Sequence, residues 1–349
     1  MIVVAGGTGT LGTRLVPLLA GQGLPVRVLT RDPARARDLA EQGVKLARGD
    51  VRDPGSVAKA LDGATTVVSA VHGFAGPGGV SPATVDRAGN ACLISAAARC
   101  GADFVLVSVV GASPRHPIGL FRAKHAAEQE LRASGVPWTI VRATAFMETW
   151  VTIMGRTLHT SGKILVFGRG DNPVNFVSAT DVAALVAQAA ISPNLRGQLL
   201  EIGGPDNLTF NQAAAILQET TGRHGTVRHI PRPALQAIAW LTAAIKPALA
   251  RQARAALAMD TIDMTAGPAP IRHAFPDLPN TDLRSALTEL LNVPDRPPSD
   301  SFARDLRPLV ETRREAGNEH EPIPQRTLHR ANAARPAPPA AASKSAPRS

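Results

Sequence analysis

The chain has 349 residues, 44% hydrophobic and 19% charged, so most of it can bury a core; its length suits about two domains, or one large α/β unit with a tail. It contains no tyrosine, which excludes any mechanism that needs a phenol as acid or base, and its two cysteines, Cys92 and Cys100, fit neither a disulfide framework nor a metal knuckle. The net charge of +10 would suit nucleic acid, but ten Lys/Arg and six Asp/Glu lie in residues 296–349, and no basic run is interleaved with aromatics as a stacking platform requires; a basic surface without nucleic acid is the reading.

Residues 1–145 alternate short apolar runs with helical patterns, the signature of repeated βα units and a parallel sheet. Strands are expected at 2–5, 26–30, 44–47, 66–70, 104–109 and 138–141, with helices at 11–20, 34–40, 54–61, 82–99 and 121–133. Asp53 before Pro54 is an N-cap followed by proline at the first helical position. Six strands and five helices make a doubly wound sheet. Residues 146–293 read as a smaller, partly helical lobe. It holds a helix over 148–158, strands at 163–167 and 174–177, and a helix over 180–190. A strand at 199–202, a helix over 209–220, an alanine-rich helical region over 233–259 and a last helix at 285–291 follow. Residues 294–349, rich in Pro, Ala, Arg and Ser, cannot bury enough apolar area to offset ordering entropy and read as a flexible tail. No apolar run reaches the roughly 18 residues of a membrane span. The first residues show no secretory signal, and a cytoplasmic setting is expected.

Gly6-Gly7-Thr8-Gly9-Thr10-Leu11-Gly12 follows the first strand and opens the first helix. The turn needs backbone conformations that glycine adopts freely. A side chain at position 9 would keep the backbone off a pyrophosphate, and glycine at 12 lets the helix pack close. The helix N-terminus offers free N–H groups and a positive dipole end to an anion. In its β-α-β context the loop reads as dinucleotide-binding rather than as a plain glycine turn, through Gly6, Thr8, Gly9, Thr10, Leu11 and Gly12. At the end of the second strand, Thr30-Arg31-Asp32 places an arginine where a 2′-phosphate would lie. NADP(H) is therefore favoured, with Asp32 keeping NAD(H) open. Asp50 and Val51 are expected at the adenine edge, and Ala70, ending the fourth strand, beside the cofactor.

Several segments together resemble the NmrA-like branch of the atypical short-chain dehydrogenases/reductases: residues 4–12, Leu29-Thr30-Arg31-Asp32-Pro33, Gly49-Asp50, Lys124-His125-Ala126-Ala127-Glu128, 134–142, 174–183 and Ile202-Gly203-Gly204-Pro205. The resemblance covers about residues 1–260 and implies a Rossmann-type NAD(P)-binding fold without specifying a substrate. Typical members of that superfamily use a serine, then Tyr-x-x-x-Lys on the next helix. The tyrosine delivers a proton, the lysine lowers its pKa and holds the nicotinamide ribose, and the serine polarises the substrate carbonyl. Ser108 and Lys124 match the serine and lysine, but Leu120 stands at the tyrosine's position. The implied function is an NADP(H)-dependent oxidoreductase acting on a small, apolar, electron-poor substrate such as a quinone, with the proton from water or Lys124. Two rivals stay open. One is a non-catalytic NAD(P)-binding redox sensor acting on a protein partner. The other is a structural or assembly subunit of a membrane-associated complex, contacted through 233–259 or the tail.

The other candidates carry alternatives. Lys124 can hold cofactor, pass a proton or pair with Glu128 one turn on. Ser108 is a polar site residue or a strand-end residue bonding backbone. His116, in the loop before Lys124, is a candidate proton donor or an ordinary loop residue. Phe146 and Met147 are candidate substrate contacts or core contacts between the lobes. No cluster has metal-ligand spacing, and no Gly-x-Ser-x-Gly marks a hydrolase.

Overall fold

The run Ile2–Ala5 (β1) is buried on both faces, as a strand in the middle of a parallel sheet must be. The computed structural model describes residues 1–74, 76, 79–267 and 270–292; the tail expected over 294–349 lies outside the described residues. In chain order the first half continues with α1 (Gly12–Gly21), β2 (Val26–Thr30), α2 (Arg37–Glu41), β3 (Lys45–Arg48), α3 (Pro54–Leu61), β4 (Thr66–Ser69), α4 (Ala88–Cys100), β5 (Asp103–Val109), α5 (Gly119–Ala133) and β6 (Trp138–Ala143). Then come β7 (Ala145–Phe146), α6 (Met147–Ser161), β8 (Lys163–Phe167), β9 (Val174–Val177), α7 (Ala179–Ile191), β10 (Gln198–Ile202), β11 (Asn207–Leu208), α8 (Phe210–Thr221) and β12 (Thr226–Ile230). Four helices close the described chain: α9 (Arg232–Leu241), α10 (Pro247–Met259), α11 (Ile271–Ala274) and α12 (Leu283–Asn292).

Seven parallel strands run in the order β10-β6-β5-β4-β1-β2-β3. Alternation sends Ile2 and Val4 to one face, against Leu15 and Leu19 of α1 and Val182 and Val186 of α7. Val3 and Ala5 face the other way, against Val57 and Leu61 of α3 and Leu93 of α4. The result is a helix layer on each face, the doubly wound α/β arrangement. Chain order reverses between β1 and β4, which opens a crevice beyond their carboxyl ends.

Three expected elements differ. The sheet has a seventh strand: β10 pairs with β6 from Gln198↔Thr139 to Ile202↔Ala143, with α7 as the crossover. The single helical region expected over 233–259 is two helices. Lys246 leaves helical geometry at φ −131° and ψ 67° before Pro247, because a residue preceding proline is pushed out of the α region. The helix expected over 82–99 opens with a π-helical turn, Pro82–Arg87, fixed by a reciprocal Ser81–Thr84 capping box.

Helices α6, α8 and α12 bury a further core with β8 and β9. α9 and α10 pack on each other through Leu235, Ala239, Ala253 and Ala256. The end of α9 and the connection to α10 leave Trp240 78%, Leu241 62% and Ile245 81% exposed. Among the described residues no helix is long and apolar enough to cross a membrane.

Candidate functional site

The glycine loop sits in the crevice between β1 and β4. Gly6 has φ 90°, in the left-handed region, and a Cβ there would lie 2.5 Å from the Ala70 carbonyl oxygen. A Cβ on Gly12 would lie 2.3 Å from the Gly6 oxygen and 2.4 Å from Gly7 Cα. This glycine thus lets the first turn of α1 close against the loop itself. Gly9 differs, because a Cβ there would meet only the Gly6 oxygen, at 3.4 Å. Packing within the protein does not demand glycine at 9; a side chain there would fill open space at the loop. α1 begins without a side-chain cap and without an acid in its first turn. An uncapped helix start beside a loop with room at Gly9 fits a pyrophosphate. Arg14 Nη1 donates to the Thr10 carbonyl oxygen at 2.7 Å, and Thr13 Oγ1 donates to that of Gly9 at 3.1 Å, bracing the loop from α1.

At the expected adenosine end, Asp32 Oδ1 accepts the Ala34 N–H at 3.0 Å and caps the 3₁₀ turn Pro33–Ala36. The acid that kept NAD(H) open is engaged as a helix cap, and Arg31 beside it is exposed. Asp50 clamps Arg52 with both oxygens, to Nε at 3.0 Å and Nη2 at 2.7 Å. The Arg52 side chain holds the Asp50 carboxyl below the usual carboxylate range, and the Arg31 charge adds to this. The Val51 side chain, expected at the adenine edge, packs into the core beneath α3 and α4, with Cγ2 pressed towards Gly89.

Lys124 is buried, and its surroundings rule out one of its three alternatives, the pairing with Glu128. Its Nζ donates to the Val71 carbonyl oxygen at 2.8 Å and lies 3.2 Å from Asp86 Oδ1. Asp86 is fully buried, and its Oδ2 accepts the Gly73 N–H at 2.8 Å. Gly6 rests on Ala70 and Val71, and Val71 carries Lys124, so one short stretch after β4 joins the glycine loop to the lysine. Asn90 supports this corner: Nδ2 donates to the Asp86 carbonyl oxygen at 2.6 Å, and Oδ1 accepts the Ser69 hydroxyl.

Glu128 instead binds Arg142, accepting from Nε at 2.9 Å and Nη2 at 2.7 Å. Its Oε1 also accepts the Ser108 hydroxyl at 2.5 Å. Ser108 therefore bonds neither backbone nor solvent; its hydrogen is committed to a buried carboxylate. His116 accepts the Ile118 N–H at Nδ1, 3.1 Å away, and stacks on Phe121 with ring centroids 4.0 Å apart. Burial pushes its pKa below the ordinary 6.5, so the ring is uncharged near neutral pH. Met147 is 1% exposed inside the core of α6, α8 and β9, which corrects its expected place at the substrate. Phe146 is half-buried against the sheet's core. Among the described residues no group of three or more His, Cys, Asp or Glu could hold a metal ion.

The pairing of Glu128 with Arg142 escaped the sequence reading, and so did Asp86 and Asn90. Their signal was a polar residue on a buried helical stripe: Asp86 and Asn90 continue into Leu93, Ile94 and Ala97.

A family model described as NAD(P)H-binding matches residues 6–193. An NAD(P)H azoreductase from Xenophilus azovorans is 33% identical over 225 residues, 64% of this chain and 74% of that one. A photosystem II assembly factor from Trieres chinensis is 25% identical over 232 residues, 66% of this chain and 72% of that one. Among solved structures, an NADPH-dependent quinone oxidoreductase from Escherichia coli, complexed with NADPH, superposes with a TM-score of 0.65 at 22% identity, over 84% of this chain and 100% of that one. With the glycine loop at the switch point of a seven-stranded parallel sheet, these findings make the chain a member of the NAD(P)H-binding family, in the NmrA-like branch of the atypical short-chain dehydrogenases/reductases.

Proposed function

We propose that the protein is an NADP(H)-dependent oxidoreductase that reduces a small, apolar, electron-poor acceptor such as a quinone, in a cytoplasmic setting. The observation that carries this reading is the buried Lys124, held by Asp86 and the Val71 carbonyl one residue from the loop under Gly6. An ammonium has three hydrogens. One is donated to the Val71 carbonyl oxygen, Asp86 Oδ1 lies 3.2 Å away as the counter-charge, and on this reading a remaining hydrogen goes to the hydroxyls of a nicotinamide ribose. Asp86 gives the buried lysine a counter-charge 3.2 Å away and fixes its place, which suits a residue that binds and orients.

The bound nicotinamide supplies the hydride. The protein's own part is positioning, with Gly9 and the start of α1 on the pyrophosphate, Lys124 on the ribose and Arg31 on a 2′-phosphate. Leu120 brings no acid, the Ser108 hydrogen is held by Glu128, and His116 is uncharged, so water is the proton source. An acceptor that tolerates hydride addition without a strong acid, such as a quinone, matches that chemistry. The azoreductase and quinone oxidoreductase relatives support this substrate class. On this reading the acceptor lies between the sheet's carboxyl end and the core built by α6, α8, α12, β8 and β9, with Phe146 at that border.

The test follows loss of 340 nm absorbance with NADPH over a panel of quinones. Turnover is expected with NADPH above NADH, lowered by Lys124→Ala, and Arg31→Ala should narrow the gap between the two cofactors. Tight NADPH binding without oxidation by any acceptor would overturn the reading. That result would favour the second reading, an assembly subunit, for which the exposed Trp240, Leu241 and Ile245 speak, together with the photosystem assembly relative.

A further inference from the structure

A second cleft, of about 400 Å³, lies between α5, the π-helical turn Pro82–Arg87 and α10. On α5 it is lined by Arg122 and Ala126, on the side turned away from Lys124, and it reaches round through Ala123 to Leu120, one turn before the lysine. It adjoins the lysine site, but neither Lys124 nor the glycine loop lines it. Four arginines line it, Arg87, Arg122, Arg251 and Arg254, and no Asp or Glu does.

The way these arginines are held is the informative feature. Arg251 donates to the carbonyl oxygens of Phe74, Gly76 and Val80, each at 3.2 Å. Arg122 Nη1 donates to those of His116 and Pro117, at 2.6 and 3.0 Å. Arg254 donates to that of Ala239 at 3.3 Å. Arg87 is exposed and has no polar partner among the described residues. Several arginines elsewhere are fixed by carboxylates, Arg142 by Glu128, Arg196 by Asp103, Arg232 by Asp260 and Arg272 by Asp181, although Arg27 too is held by carbonyls. A carbonyl positions a guanidinium without cancelling its charge. The cleft thus gathers four cations without a carboxylate partner, three of them positioned by carbonyls. α5 also opens here, at Gly119, without a side-chain cap, and adds the positive end of its dipole.

The walls between the arginines are apolar, with Phe74 and Leu120 among them, and the volume exceeds what a bare phosphate needs. We propose that this cleft is a second binding site, for an amphiphilic anion: an apolar body carrying a phosphate, sulfonate or carboxylate. The proposal does not rest on the reductase reading.

1-Anilinonaphthalene-8-sulfonate is a suitable probe, with uncharged N-phenyl-1-naphthylamine as its control. Fluorescence titrations are run with and without saturating NADP⁺, so that dye at the glycine loop is displaced and subtracted. The sulfonated dye should bind more tightly than the uncharged one, and inorganic sulfate should displace it. Arg87→Glu, on an exposed residue, should weaken the sulfonated dye by about tenfold, the scale of one charge-assisted contact, and leave the uncharged dye unchanged. Arg254→Ala should do the same, while Arg87→Lys should retain binding. Equal affinity for the two dyes, or sulfonate binding unmoved by both Arg87→Glu and Arg254→Ala in protein with an unaltered melting temperature, would overturn the proposal.

Discussion

Gly9 and Gly12 are one motif but two physical cases. Gly12 is glycine because Gly6 and Gly7 occupy the place of its side chain. Gly9 is glycine although the protein leaves room beside it. Gly12→Ala should therefore destabilise the fold by about 1–3 kcal/mol through overpacking, whereas Gly9→Ala should stay within about 0.5 kcal/mol of the parent and weaken NADPH binding. Urea denaturation and calorimetric titration on both variants separate the two; equal stability losses would sink the distinction. Asp86 makes a second residue-level case. Asp86→Asn leaves the Lys124 cation buried without its counter-charge, a loss of about 3–5 kcal/mol. Asp86→Leu with Lys124→Met removes both charges and should recover part of that loss. A cost below about 1 kcal/mol for the single change in urea melts would show that the pair is not the buried support assigned to it.

Among the elements, α6 and α7 are tied end to end by Glu148. This carboxylate, 2% exposed in the first turn of α6, accepts the Ala179 N–H at the start of α7, at 2.9 and 3.1 Å. Burial pushes its pKa above the ordinary 4.5, against the lowering pull of Arg14 and the bonded N–H groups. A raised folded-state pKa means that the folded chain holds this proton more tightly than the unfolded one. The contribution is whole below 4.5 and declines as pH climbs through the folded value. Glu148→Gln keeps an acceptor for Ala179 and removes the titration. The stability of the variant relative to the parent should thus increase as pH rises above 4.5, measured by urea unfolding in pH steps. A difference that is flat or shrinking with pH would refute this. The elements also show where local pattern stops. Short apolar runs marked β1, β2 and β4 to within a residue, because strands in the middle of a parallel sheet are buried on both faces. The place of β10 beside β6 depends on a crossover through α7, which no window over 198–202 contains. Proline chemistry did mark the break between α9 and α10, at Lys246-Pro247, but the alanine-rich run on either side masked it.

At the scale of the whole molecule, a parallel sheet with a strand-order reversal puts a glycine loop and a buried lysine around one short stretch of chain. Alternating apolar runs, the glycines at 6, 9 and 12, Arg31, Lys124 and the missing tyrosine were all legible in the sequence by itself. Each depends on local backbone geometry or on residue type, which a short window records. Asp86 as the partner of Lys124, Glu128 turned to Arg142 and Ser108, Met147 in the core and four arginines around one cleft were decided only by the tertiary structure. Those arrangements join residues as far apart as Phe74 and Arg251. Burial and electrostatic compensation act through space, so periodicity along the chain carries no trace of which charge will meet which.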